Sequence, residues 1–128
     1  MVEPSILPLV ICVEDNSAVR DALRGLLRAS GFRVATFASA EDFLASAELL
    51  TACCLITDIH LGGISGLDML EKLSEMALTI PSILITAHAA AASGSRARES
   101  GAVKIFLKPV DPSDLINAVR TATTGPHT

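Results

Sequence analysis

Tryptophan and tyrosine are absent from this chain of 128 residues, and aromatic residues make up only 3% of it. A surface on which unpaired nucleic-acid bases stack needs such rings, so that class of binder is excluded. A basic excess is missing too: 10 Lys and Arg against 14 Asp and Glu give a net charge of -4. That is opposite in sign to the footprint of a nucleic-acid-binding domain. The three cysteines, Cys12, Cys53 and Cys54, have no metal-ligand spacing. They fall in apolar runs, where free thiols behave as small core hydrophobes, and a reducing, cytoplasmic setting is the expectation. The N-terminus, Met1-Val2-Glu3-Pro4-Ser5, carries no basic region followed by an apolar stretch. No signal peptide is expected, and no apolar run approaches a membrane span.

What remains is apolar and patterned. Half of the residues are hydrophobic and mean hydropathy is +0.50, which excludes a disordered chain and predicts one packed domain. Strand and helix patterns alternate from end to end. Leu7 to Val13 is an apolar run that stops at Glu14-Asp15, and Asn16 or Ser17 then caps a helix with Val19, Leu23, Leu26 and Leu27 at helical spacing. Gly31 ends that helix, and Phe32 to Phe37 reads as a strand nearer the sheet edge. Ser39 and Asp42 open a short helix that continues through Phe43, Leu44 and Ala47.

Cys53 to Asp58 is apolar at nearly every position, as a strand covered on both faces requires. A Gly-rich turn leads from it into a helix from Ser65 to about Met76. Ser82 to Thr86 is the next strand. Ala89 to Ser100 follows as a helix rich in alanine, interrupted by Gly94 and without a large apolar residue, so loose attachment is predicted. Val103 to Leu107 is the last strand, and Asp111-Pro112 starts a final helix with Leu115, Ile116 and Val119. Thr124 to Thr128 reads as a frayed tail. Five β-α units imply an α/β fold: a doubly wound parallel sheet with right-handed crossovers.

The carboxyl ends of the predicted strands carry Glu14-Asp15, Asp58, Thr86 and Lys108. An open parallel sheet brings these ends to one edge, where ligands bind. Three neighbouring carboxylates repel one another, and Mg²⁺, which takes a few oxygens and keeps waters, relieves that repulsion. Carboxylate, Mg²⁺, ammonium and hydroxyl around one point are the parts of a phosphoryl-transfer site, with a carboxylate able to act as nucleophile. Each residue alone also has a bland reading: a solvated loop acid, a cap, a structural ion pair. Their joint placement favours the phosphoryl site.

The motifs Val13-Glu14-Asp15-Asn16, Leu55-Ile56-Thr57-Asp58, Gly63-Ile64-Ser65-Gly66-Leu67, Ile85-Thr86-Ala87 and Leu107-Lys108-Pro109 resemble the receiver domain of bacterial two-component response regulators, of the FixJ type. The resemblance covers residues 6–123, leaves 124–128 as a tail and makes residues 1–128 a single receiver domain. It implies a flavodoxin-like (βα)5 sheet of order 2-1-3-4-5. It also implies that Asp58 accepts a phosphoryl group from a sensor histidine kinase or phosphotransfer protein. By the same resemblance, Glu14, Asp15, Asp58 and the backbone carbonyl of His60 hold Mg²⁺, Thr86 is the switch hydroxyl, and Lys108 pairs with the phosphoryl oxygens. The Lys108-Pro109 bond is often cis in such domains. The implied protein is no enzyme beyond turnover of its own aspartyl phosphate, and a homodimer would form through the fourth helix, fifth strand and fifth helix.

Three departures stand out. Ile105 occupies the position usual for the switch aromatic, and Phe106, one residue on, should face the other way. Gly62 replaces a common proline, which predicts a freer loop. The fourth helix is small and predicted to be mobile. His60 and His88 each lie two residues after a site residue, and two readings stand: they border the site, where either would tune phosphoryl lifetime, or they are solvated loop histidines; imidazole does not suit Mg²⁺ in either case. Two alternatives are weighed: a receiver-like module that binds without phosphorylation, and a small Mg²⁺-dependent phosphatase with Asp58 as nucleophile. Against the phosphatase, such enzymes carry an acid two residues after the nucleophile, where this chain has His60.

Overall fold

Three strands are buried along their whole length in the computed structural model, which describes residues 7–124. These are β1 (Leu9–Val13), β3 (Cys54–Asp58) and β4 (Ser82–Thr86). The flanking strands β2 (Arg33–Phe37) and β5 (Lys104–Leu107) are partly exposed, as edge strands of an open sheet are. All pairings are parallel and the order is β2-β1-β3-β4-β5. The first strand begins at Leu9 rather than Leu7, because Pro8 has no N–H to give to a ladder. Pro8 still contributes its carbonyl, which accepts from Arg33 N at 3.0 Å.

Side chains alternate between two cores. Leu9, Ile11, Val13, Leu55 and Leu84 face Phe43, Leu67 and Leu70 on one side. Val10, Cys12, Cys54, Ile56 and Ile83 face Leu27, Leu115 and Val119 on the other. Burial, reinforced by the neighbouring thiol, pushes Cys12 and Cys54 up to about 12. Both are therefore unreactive packing groups, as the sequence predicts.

The helices follow the caps. Asn16 Oδ1 accepts from Val19 N at 3.0 Å to start α1 (Ser17–Ala29), and Gly31, at φ 95°, turns the chain away. The helix α2 (Ala40–Leu44) is shorter than expected. Ser46 Oγ donates to Phe43 O at 2.7 Å, and Ala47 belongs to a separate 3-10 turn over Ala47–Leu50. α3 (Gly66–Glu75) starts at a reciprocal capping box: Ser65 Oγ accepts from Asp68 N, and Asp68 Oδ2 accepts from Ser65 N, both at 3.0 Å.

The predicted fourth helix is two pieces, α4 (Ala89–Ser93) and α5 (Ser95–Arg98). Gly94 lies between them in extended conformation, with ψ 156°. The final helix α6 (Pro112–Thr124) is capped by Asp111, whose Oδ1 accepts from Asp114 N at 3.1 Å. Thr124 ends this helix rather than starting the tail; residues 125–128 lie outside the described residues.

Candidate functional site

The parallel order places the carboxyl ends of β1, β3, β4 and β5 side by side, and their residues meet there. Lys108, just beyond β5, donates to Asp58 Oδ2 at 2.5 Å and to Glu14 Oε1 at 3.3 Å. Glu14 and Asp58 are both buried. Burial alone would pull the Lys108 ammonium down, but the Asp58 hydrogen bond and the two carboxylate charges outweigh it and hold it above its ordinary value. Lys108 is therefore a fixed cation at neutral pH. Its peptide bond to Pro109 is cis, as the resemblance implies.

Backbone donors aim the acids. Asn16 N donates to Glu14 Oε2 at 3.0 Å, and His60 N donates to Asp58 Oδ1 at 2.9 Å. Arg20 reaches back from α1 to the Glu14 carbonyl at 2.8 Å and fixes that turn. Asp58 thus keeps one oxygen on a backbone N–H and the other on an ammonium, two contacts that hold a carboxylate in one rotamer. Asp15, next in chain, is exposed and makes no side-chain hydrogen bond among the described residues. Three carboxyl groups against one ammonium leave the edge short of positive charge.

Thr86 ends β4 fully buried. Its Oγ1 accepts from His88 N at 3.1 Å and lies 3.5 Å from His60 Nδ1. The two imidazoles pack against each other with ring centroids 4.4 Å apart. Both histidines are exposed yet lie beside Thr86, so each of the two sequence readings holds in part, and they also touch, which the sequence does not reveal.

Oxygen donors suit Mg²⁺, which takes one or two carboxylates and keeps several waters. Glu14, Asp15, Asp58 and the His60 carbonyl are such a set. Among the described residues no three carboxylate, imidazole or thiol side chains converge on a single point; Lys108, rather than a shared ligand point, joins Glu14 and Asp58.

Residues outside the motifs shape the loop after Asp58. Glu41, on α2, accepts from Ile64 N at 3.1 Å, and its carboxylate fills the space that a side chain at Gly63 would need. This tether leaves the loop more constrained than Gly62 alone predicts. A Cβ at Gly66 would collide with the Asp58 carbonyl, so glycine is required where the helix passes the strand end. The only sequence signal for Glu41 is the glycine it needs opposite, 22 positions away. On β5, Ile105 packs on the α3–α5 side and Phe106 on the α6 side, confirming the opposite facing expected from strand parity. No aromatic side chain of β5 lies on the face shared with α4 and α5.

Beside Glu14 and Lys108 an apolar groove runs between α1 and the start of α6, lined by Val19, Leu23, Leu26, Pro109 and Leu115. Val19 in it is 38% exposed.

The response regulator receiver domain pattern matches residues 10–120. The chain is 40% identical over 114 residues to the response regulator protein TmoT of Ectopseudomonas mendocina, covering 89% of this chain and 52% of that one. It is 34% identical over 119 residues to the transcriptional regulatory protein FixJ of Azorhizobium caulinodans, covering 93% and 56%. The solved structure of FixJ-N is similar with a TM-score of 0.83 and 31% identity, covering 100% of this chain and 99% of that one. The chain spans about half the length of the curated relatives it matches. No helix among the described residues is long and apolar enough to cross a membrane.

Proposed function

The chain belongs to the response regulator receiver domain family, and from that premise we propose that Asp58 is the phosphoacceptor of a two-component signalling switch. The observation that carries this reading is the Lys108 ammonium held against Asp58 Oδ2 while Glu14 and the His60 N–H fix the surrounding groups. An Asp58 oxygen attacks the phosphorus of a phosphohistidine or a small acyl phosphate. The donor's P–N or P–O bond breaks as the new P–O bond forms, and the donor leaves with the electron pair. Water later attacks the same phosphorus and returns inorganic phosphate and the Asp58 carboxylate.

Lys108 pairs with the transferred phosphoryl oxygens, and the Thr86 hydroxyl turns toward them. Mg²⁺ held by Glu14, Asp15, Asp58 and the His60 carbonyl would offset charge on those oxygens. The protein turns over nothing but its own aspartyl phosphate. Its donor, a histidine kinase or phosphotransfer protein, buries the apolar groove between α1 and α6, which opens directly beside Glu14 and Lys108.

Output uses the face formed by α4, α5, β5 and α6, through which two copies pair. Without a switch aromatic, movement of Thr86 is relayed by the α4–α5 segment itself. Ile105 favours a second reading, a receiver-like module that binds without phosphorylation. Intact-mass spectrometry after incubation with acetyl phosphate and Mg²⁺ separates the two. One phosphoryl adduct, absent in Asp58→Asn and without metal, is expected. An unmodified chain, under conditions that modify an ordinary receiver, overturns the phosphoacceptor reading in favour of the second.

A further inference from the structure

His60 and His88 are the part of the edge that phosphoryl chemistry leaves unused. They leave different strands, β3 and β4, yet their rings meet at 4.4 Å between centroids with a 59° tilt. Both are exposed. His60 Nδ1 lies 3.5 Å from Thr86 Oγ1, and no ring nitrogen of His88, nor His60 Nε2, has a hydrogen-bond partner among the described residues. Two imidazoles that share one tetrahedral Zn²⁺, each nitrogen about 2.0–2.1 Å from the metal, have centroids roughly 5 Å apart. The observed separation is within a small side-chain adjustment of that value.

We propose that His60 and His88 form a second metal site, for a borderline transition ion such as Zn²⁺, distinct in chemistry from the oxygen site for Mg²⁺. Three features support it. Imidazole selects zinc-like ions and rejects Mg²⁺, so Mg²⁺ in excess can fill the oxygen site without displacing an ion held by the two rings. The Thr86 hydroxyl can accept from His60 Nδ1–H, the outer hydrogen bond that fixes a ligating histidine with its Nε2 lone pair free. The neighbouring acids, in excess over Lys108, lower the cost of bringing a dication there. With two protein nitrogens, water would complete the coordination. A bound ion would link the loop after Asp58 to the loop after Thr86 and hold the hydroxyl where it now lies. Zinc occupancy therefore slows phosphorylation.

Binding does not depend on the phosphoacceptor reading; the slowing does. The test is calorimetric titration of Zn²⁺ into the reduced protein with Mg²⁺ in large excess. One site is expected, weakened at least about tenfold in His60→Asn and in His88→Gln, and unchanged in His127→Asn at the third histidine. Wild-type binding in both His60→Asn and His88→Gln overturns the site, as does complete displacement of zinc by Mg²⁺. Acetyl-phosphate labelling, each variant scaled to its own zinc-free rate, then tests the coupling. Zinc should slow the wild type several-fold more than His88→Gln, and equal slowing places the inhibition on the acids and overturns the coupling. A wild-type chain that labels in neither condition removes the phosphoacceptor reading and the coupling with it, while calorimetry still decides the metal site.

Discussion

α3 and the α4–α5 pair leave adjacent strands at the same edge of the sheet, yet they are held in opposite ways. α3 begins with a two-way capping box, passes the Asp58 carbonyl at a required glycine, and buries five of its ten residues. α4 begins at His88 with no side-chain cap, buries none of its five residues and stops at Gly94. α5 buries only Ala97. The element beside Asp58 is fixed by backbone geometry, and the element beside Thr86 rests on a few small side chains. A switch needs both: a site that does not move and an adjoining segment with a low cost of rearrangement.

Amide exchange makes the contrast measurable and carries the largest expected effect. Amides within Ala91–Ser93 should exchange roughly a hundredfold or more faster than those of Met69–Leu73, equivalent to about 2.7 kcal/mol in local opening free energy. Uniformly slow exchange from Ala89 to Ser100 would break the comparison and remove the mobile segment. Next is Gly66→Ala. Its Cβ meets backbone rather than a flexible side chain, so neither strand nor helix can yield locally. A loss of about 2 kcal/mol in urea unfolding is expected, and the variant should label more slowly because the Asp58 strand end is displaced. An unchanged midpoint would mean that α3 is less firmly seated than its caps imply.

Much of this contrast was legible in the chain. Consecutive apolar residues identify β1, β3 and β4, Ser65 marks the start of α3, and Gly94 marks the weak point after β4. Strand parity alone separates Ile105 from Phe106. The order of the strands came from the family resemblance, because periodicity says how a strand is covered and not which strand lies beside it. Contacts between distant side chains were not legible at all. Glu41 and Ile64, His60 and His88, and Arg96 and Asp68 become neighbours only when the sheet stacks their loops. Each contact is made through a polar group, a side chain or the Ile64 N–H, with no pattern that a local reading detects.

Among the described residues, Arg96 makes the only ion pairs between the two regions. It donates to Asp68 Oδ1 at 2.6 Å and to Glu71 Oε1 at 3.0 Å, so α5 is tied to the capping box of α3. The Arg96 hydrogen bond, with help from the Ser65 N–H, lowers Asp68 to about 2. A depressed carboxylate stabilises the fold above its unfolded value of about 3.9, and the contribution is lost as pH falls toward 2. Arg96→Ala should raise the Asp68 midpoint, read from its side-chain carboxyl carbon by NMR, part of the way back toward that value. The acid-dependent loss of stability between about pH 4 and 2 should shrink accordingly. Exchange across α5 should quicken while α3 stays protected. An unmoved midpoint would show that the cap, and not the arginine, sets Asp68, and that the two regions are independent.

The smallest effect concerns the far end of α3, where the well-held element is itself strained. The helix closes with Leu78 N donating to Leu73 O at 2.9 Å and Ala77 N donating to Ser74 O at 3.0 Å. The six-residue closure is that of a Schellman-type end, which needs a left-handed residue just past the cap. That residue is Ala77, at φ 58°. A left-handed alanine costs about 1 kcal/mol, and a glycine there gives back part of the gain through its greater freedom in the unfolded chain. Ala77 is exposed, so its methyl group contributes little packing. Ala77→Gly should therefore stabilise the protein by about 0.5 kcal/mol, seen as a higher urea midpoint at unchanged slope. Phosphorylation and α4 exchange should not respond. A fall in the midpoint would mean that the methyl group packs more than its exposure indicates, and that α3 is held at both ends rather than from Ser65 alone.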